Sequence, residues 1–216
     1  MTLSQEDVPN EVLIATNNKG KFLEISSLLN SIKIKAISPF EYNIPEPEED
    51  GNSFAENALI KAKFYAKETN IFTISDDSGL CIVDLNNQPG IYSARFATDK
   101  YGNKNFELAF KNIFQELKRR GINPENKPKA FFVCNLCFFN PKNNQHINFE
   151  GIVNGYLSYP ALGDKGFGYD PIFIKDGMNK TFGEIDQDLK DSISHRAEAF
   201  KLMINWLKKI SQNSHL

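Results

Sequence analysis

Apolar positions in this chain follow two different spacings that alternate along its length. Residues 12–15 form a short apolar run typical of a buried strand, and residues 22–29 then place apolar side chains at helical spacing. A capping box beginning at Ser53 predicts the start of a second helix, and the same spacing predicts helices over 104–120 and around 200–210. Helices therefore alternate with strands.

The strand-like runs predict a mixed sheet. Residues 71–74 and 81–85 read as strands on either side of the acidic stretch 75–79, which places an aspartate pair where a strand ends. Residues 130–139 and 147–156 are long strands separated by a short polar turn, as in an antiparallel hairpin. Together these elements predict an α/β fold in which helices flank a mixed β-sheet.

Length and charge describe one globular domain. The chain has 216 residues, 25 Lys and Arg against 27 Asp and Glu, and 41% hydrophobic residues. We expect a polar tail over 1–10, a single domain over 11–210 and a short tail over 211–216. The balanced charge argues against a nucleic-acid partner, which requires a surplus of basic residues. No apolar segment approaches the ~20 residues of a membrane span, so no membrane partner is expected.

The three cysteines indicate a reducing compartment. Cys81, Cys134 and Cys137 are too few and too oddly numbered for a secreted disulfide framework, and the N-terminus lacks a signal-peptide pattern. We therefore expect a cytoplasmic protein. Cys134 and Cys137 form a Cys-X-X-Cys within a predicted strand, where residues three apart point to opposite faces. Apolar strand positions are the better interpretation than metal or redox chemistry.

The segment from Thr16 to Lys21 is the first candidate site. It follows a strand and opens a helix, so backbone N–H groups, the positive helix end and two lysines converge where an anion could bind. It is not a P-loop, because Ala15 and Phe22 stand where that motif needs Gly and Ser or Thr. By itself, an ordinary polar turn explains the segment equally well.

Carboxylates form the second candidate. Several lie in the loop before Gly51, and Asp76 and Asp77 are adjacent in sequence. Burying such a pair requires a cation or hydrogen-bond donors to offset the repulsion. Magnesium prefers one or two protein carboxylates together with phosphate oxygens and water. A simple turn capped by an Asp side chain is the alternative, and in isolation it is favoured.

Two later segments could recognise a base. Residues 166–171 form a loop whose glycines allow close backbone approach and whose Phe167 and Tyr169 could stack on a flat ring. Residues 190–196 lie at the start of the last predicted helix, where His195 and Arg196 offer hydrogen-bond donors. A Ser-capped helix with a surface histidine explains the second segment as well.

In this order, the four segments resemble the inosine triphosphate pyrophosphatase family from about Val12 to Leu207. Thr16, Asn18 and Lys21 match its Thr-X-Asn-X-X-Lys loop, and residues 48–51 with Glu56-Asn-Ala58 match its acidic loop and following helix. Residues 75–80, 167–171 and 194–196 match the remaining motifs. The resemblance implies an elongated, two-lobed α/β structure with a mixed β-sheet, flanking helices and a central cleft, and usually a homodimer.

The resemblance also implies roles for individual residues. Asp77 is expected to accept a proton from the attacking water, and Glu48 and Asp77 to bind Mg²⁺. A one-residue shift in counting back from Gly51 would exchange Glu48 for Glu49. Substrate contacts are expected from Thr16, Asn17, Asn18, Lys19, Gly20, Lys21, Ser78, Phe167, Gly168, Tyr169, Asp170, Lys190, His195 and Arg196.

The implied reaction converts ITP, dITP or XTP to the monophosphate and pyrophosphate, which removes non-canonical purines from the nucleotide pool. One alternative is a related pyrophosphatase that acts on modified pyrimidine or other nucleotides. Another is a nucleotide-binding regulator without hydrolysis, against which the presence of Lys21, Asp76 and Asp77 argues.

Overall fold

The computed structural model describes residues 9–42 and 44–212. Residues 1–8 and 213–216 of the predicted tails lie outside this range. Within it, the strands are β1 (Glu11–Ala15), β2 (Lys35–Ile37), β3 (Thr73–Ile82), β4 (Gln88–Pro89), β5 (Lys129–Asn140), β6 (Gln145–Leu157) and β7 (Phe173–Lys175). The α-helices are α1 (Lys19–Ser31), α2 (Phe54–Thr69), α3 (Ser93–Phe96), α4 (Phe106–Arg119), α5 (Gln187–Ile193) and α6 (His195–Gln212).

The strands form a mixed sheet in the order β2-β1-β3-β5-β6-β7, with β4 paired to β3. β1 is parallel to β2 and to β3, whereas β4 and β7 are antiparallel to their partners. β5 and β6 are neighbours joined by a turn at 141–144, as the predicted hairpin requires. The α/β prediction is confirmed, while the elongated shape and the cleft stay predictions. In the described part of the chain, no helix is long and apolar enough to cross a membrane.

The chain divides into two compact units. Among the described residues, unit 1 contains the chain up to Asp77, Cys134–Gly151 and the chain from Arg196 onward, and unit 2 contains Ser78–Val133 and Ile152–His195. In unit 1, alternate strand residues divide between two sides. Ile14, Ile74 and Leu136 pack with α1 and α6, whereas the intervening residues of β1 and β5 pack with α2.

Unit 2 has its own apolar core around α4. Ile113 and Leu117 of this helix are fully buried and pack with Leu80 of β3 and Phe173 of β7. The helix ends as the sequence predicts, because Gly121 follows it with φ +78°, a conformation that glycine adopts without strain.

The Cys-X-X-Cys prediction is confirmed. Cys134 and Cys137 are both buried as free thiols, and they belong to different apolar clusters on the two sides of β5. Burial raises the pKa of the Cys137 thiol to about 12. The reactive thiolate is therefore disfavoured at neutral pH.

The prediction that the aspartate pair ends a strand is wrong. β3 runs without interruption from Thr73 to Ile82, and both aspartates lie inside it. Asp, Ser and Gly favour turns because they compete for local backbone hydrogen bonds or lack side-chain restraint. Here the two carboxylates have partners on other elements, which allows the strand to continue. The predicted strand over 81–85 also ends early, because Val83–Leu85 forms a 3₁₀ turn.

Candidate functional site

The loop between β1 and α1 forms the basic part of the candidate site in unit 1. Asn18 is the N-cap of α1, and its Oδ1 accepts a hydrogen bond from the Lys21 N–H at 3.2 Å. Lys19, Gly20 and Lys21 make up the first turn, which contains no acidic residue. The helix N-terminus carries a partial positive charge, and the two lysines add to it. An anion bound at this turn would therefore be stabilised.

The register of the parallel strands brings this loop to the aspartates. Ala15, the last residue of β1, pairs with Ser75 of β3. Parallel strands end at the same edge of a sheet, so Thr16 begins the loop where β3 continues into Asp76 and Asp77. Successive strand residues point to opposite faces, so these two carboxylates face different helices and need not share a charged pocket.

Asp76 lies at the centre of a buried charge network on the α1 and α6 side. Its Oδ1 lies 3.1 Å from Nζ of Lys21, and its Oδ2 lies 3.1 Å from Nη2 of Arg196. Arg196 also forms an ion pair with Glu24 of α1. Burial by itself would raise the pKa of Asp76, but the charges of Lys21 and Arg196 hold it well below its usual range. Asp76 is therefore an anchor for the two cations.

Arg196 lies in surroundings that its expected role as a base contact does not predict. Its side chain is 2% exposed, and its guanidinium pairs with Glu24 and Asp76. The contact with a base stays a prediction. Glu24 is the residue that the sequence reasoning missed. It lies in α1 among apolar positions and is 3% exposed. A carboxylate on the apolar face of a helix is a signal of a buried ion pair, since unpaired burial is costly.

Asp77 faces α2 and has different surroundings. Nδ2 of Asn57 donates a hydrogen bond to its Oδ2 at 3.1 Å. Burial raises the pKa of Asp77 to about 6; Lys21 and Lys61 oppose this shift and Glu49 adds to it. A carboxyl group with a pKa close to neutral can accept and release a proton at physiological pH.

Glu49 is the residue of the acidic loop that lies near Asp77 on the α2 side of β3. Its Oε1 lies 2.6 Å from Nζ of the buried Lys61, and its charge acts on Asp77. Burial would lower the pKa of Lys61, but Glu49, Asp77 and Asp76 raise it above its usual value. Glu48, by contrast, is exposed. Glu48 and Glu49 are the two candidates for the metal ligand. Of these, Glu49 is the one whose charge acts on Asp77.

The donor set of Glu49 and Asp77 fits Mg²⁺. Two carboxylates that repel each other are stabilised by a divalent cation, and Mg²⁺ takes one or two such ligands when phosphate oxygens and water complete its shell. Among the described residues, no three His, Cys, Asp or Glu side chains gather into a site that could hold a metal ion.

Unit 2 gathers a second group of the predicted residues around Asp170. Its Oδ2 accepts the Phe167 N–H at 2.8 Å and lies 2.6 Å from Nζ of Lys190. The same Nζ is 4.2 Å from the centre of the Phe167 ring. Gly166 has φ +71°, and a Cβ there would lie 2.2 Å from Asp170 Oδ2. The loop thus requires glycine at this position. Lys190 belongs to α5 and not to the last helix.

The remaining predicted residues of unit 2 differ in exposure. Tyr169 is 5% exposed, its hydroxyl donates to the Ser93 carbonyl at 2.8 Å, and its ring packs edge-on against Phe106. The ring of Tyr169 is therefore in the core, and its stacking on a base stays a prediction. His195 is also buried and stacks on Phe132. Phe167, Gly168 and Ser78 are partly exposed.

Comparison with known proteins decides the family. The Ham1 family model matches residues 12–206. The chain belongs to the Ham1 family. It is 44% identical over 196 residues to the dITP/XTP pyrophosphatase of Zymomonas mobilis, covering 91% of both chains, and 39% identical to that of Bartonella quintana, covering 93% of this chain and 97% of the relative.

Solved structures of Ham1 proteins agree with this membership. The HAM1 protein from Coxiella burnetii superposes with a TM-score of 0.81 at 33% identity, covering 92% of this chain and 98% of that one. The Staphylococcus aureus Ham1 protein gives 0.77 at 34% identity over the same shares. The resemblance in the sequence motifs is therefore confirmed, and so is the fold.

Proposed function

We propose that this Ham1 chain hydrolyses ITP, dITP and XTP to the monophosphate and pyrophosphate. The observation that carries the proposal is the β1–β3 register, which places a basic helix N-terminus beside a buried carboxyl group whose pKa is close to neutral. The helix N-terminus binds the triphosphate, and the carboxyl group accepts a proton from the attacking water. Relatives that are 44% and 39% identical bear the name dITP/XTP pyrophosphatase, which supports the same reaction.

In the proposed mechanism, the backbone N–H groups of the first turn of α1 and the Lys21 ammonium bind the triphosphate and offset its charge. Asp77 orients water towards the α-phosphorus and accepts its proton, and pyrophosphate leaves as the bond between the α-phosphorus and the bridging oxygen breaks. Glu49 and Asp77 would hold Mg²⁺, which would supply additional charge neutralisation on the phosphate oxygens. Asp76 keeps Lys21 in place.

Selection of the base requires a hydrogen-bond donor for the six-oxo group. Inosine and xanthine present an acceptor there. Adenine presents an amino donor, which would face the donor of the protein and leave both donors without an acceptor. Since Arg196 is engaged by carboxylates, His195 is the proposed donor and Phe167 the proposed ring contact. Both belong to unit 2.

The test is pyrophosphate release across a panel of nucleotides. We expect rapid Mg²⁺-dependent release from ITP, dITP and XTP and weak release from ATP and GTP. The donor to the six-oxo group accounts for the expected result with ATP only, because guanine carries the same oxo group; weak release from GTP is what the family resemblance implies. Equal rates for ATP and ITP would remove base selectivity. Faster release from modified pyrimidine triphosphates would favour the alternative substrate class, and binding without release would favour a regulator.

Glu49 is the proposed partner of Asp77 in binding Mg²⁺, in place of Glu48. Glu49→Gln should raise the Mg²⁺ concentration needed for half-maximal activity by at least about 10–100-fold, the range for loss of a residue that hydrogen-bonds to a metal ligand. Glu48→Gln removes the same charge from an exposed neighbour and should leave the Mg²⁺ dependence unchanged. Titrating Mg²⁺ at saturating ITP compares the two variants. A larger change in Mg²⁺ dependence for Glu48→Gln than for Glu49→Gln would identify Glu48 as the ligand.

We also propose a cytoplasmic homodimer. The three described cysteines are buried free thiols, which supports a reducing compartment. Tyr92, Phe96 and Tyr101 are exposed aromatic residues of unit 2, and we propose that they contribute to the contact between the two copies. Light scattering coupled to size exclusion measures the mass, and a monomer at micromolar concentration would contradict the dimer.

A further inference from the structure

Asn57 connects the acidic loop to Asp77 through the two ends of one side-chain amide. It is the fourth residue of α2 and is 2% exposed. Its Oδ1 accepts the backbone N–H of Gly51 at 2.9 Å, and its Nδ2 donates to Oδ2 of Asp77 at 3.1 Å. Both contacts lie within unit 1.

The orientation of this amide follows from its partners. A backbone N–H can only donate, so the atom that faces Gly51 must be the amide oxygen. The NH₂ group is then directed at Asp77, where an ionised carboxylate accepts. The loop contact thus determines that a donor, and not an acceptor, meets the carboxylate.

The loop backbone approaches Asn57 closely because residue 51 is glycine. A Cβ at Gly51 would lie 2.7 Å from Oδ1 of Asn57, closer than real Cβ contacts. One turn further along α2, Lys61 pairs with Glu49 of the same loop. Two residues of one helix therefore hold the loop, and one of them also holds Asp77.

We infer that Asn57 is a positioning residue, which keeps the Asp77 carboxylate in the orientation that serves the attacking water and couples that orientation to the acidic loop. The inference rests on the proposed role of Asp77 as proton acceptor. A hydrogen bond to one carboxylate oxygen restricts rotation of the group. Loss of that restraint should reduce the rate of the chemical step and leave the binding of the triphosphate by Lys21 unchanged.

Two substitutions separate the two ends of the amide. Asn57→Asp keeps an oxygen for the Gly51 N–H but replaces the donor with a negative charge that repels Asp77. Asn57→Leu removes both contacts and keeps the branched shape of the side chain. We expect kcat for ITP to fall by about 10–100-fold in both variants, as is typical for residues that orient a first-contact group, with KM unchanged. Binding of an α,β-methylene analogue of ITP, measured by calorimetry, should remain at the wild-type affinity.

Ser75→Ala is the matched control. Ser75 Oγ donates to the Ala58 carbonyl, so this variant removes a buried hydrogen bond between the same strand and the same helix without touching Asp77. It should lower the melting temperature and leave kcat unchanged. Wild-type kcat in folded Asn57→Asp protein, or an equal loss of kcat in Ser75→Ala, would overturn the inference. No pyrophosphate release by the wild-type protein from ITP, dITP or XTP would instead overturn the proposed function.

Discussion

Asp77→Asn is expected to lower kcat for ITP by about 10²–10⁴-fold, the usual range for loss of a general base. The substitution preserves the size of the side chain but removes both its charge and its ability to accept a proton. Because burial raises the pKa of Asp77, the folded state disfavours its charged form. The neutral variant should therefore fold at least as stably as the wild type. Initial-rate assays with a thermal melt of the same sample measure both quantities.

Asp50→Asn is the control for this prediction. It removes one negative charge from an exposed position in the acidic loop of the same unit. Its kcat should match that of the wild type. Substantial turnover by Asp77→Asn would remove the assigned role of Asp77, and a loss of turnover in both variants would indicate a general effect of charge.

Arg196→Met is expected to reduce the free energy of unfolding by about 3–5 kcal/mol, the magnitude measured when one partner of a buried ion pair is removed. Arg196 lies between the carboxylates of Glu24 and Asp76, and all three side chains are nearly inaccessible to solvent. Without the guanidinium, these carboxylates retain their desolvation penalty but lose their main cation. Urea denaturation followed by circular dichroism measures the change.

Arg119→Met provides the matched comparison. Arg119 also pairs with a carboxylate, Glu116, but its side chain is 71% exposed. Water and salt screen such a pair, so its removal should change stability little. Similar losses in the two variants would show that the Arg196 network is not a special source of stability.

The elements of the chain could largely be predicted from local sequence. The Ser53 cap of α2 and the Gly121 end of α4 depend on residues within a few positions, and both are found in the structure. β3 is longer than its local sequence predicts, because Asp76 and Asp77 have the local preferences of a turn. Their partners, Arg196 and Asn57, are 120 and 20 residues away, and no local preference reports such contacts.

The sequence by itself determined the α/β class, the family and the segments that contain the candidate site. Hydrophobic spacing, helix caps and ordered motifs are properties of neighbouring residues, so they can be recognised in the sequence alone. Only the tertiary structure decided the surroundings of individual side chains. It turned Glu49 and not Glu48 towards Asp77, placed Arg196 among carboxylates and buried Tyr169. These outcomes depend on which faces of β3, α1, α2 and α6 meet, because burial and charge pairing are fixed by packing between distant segments.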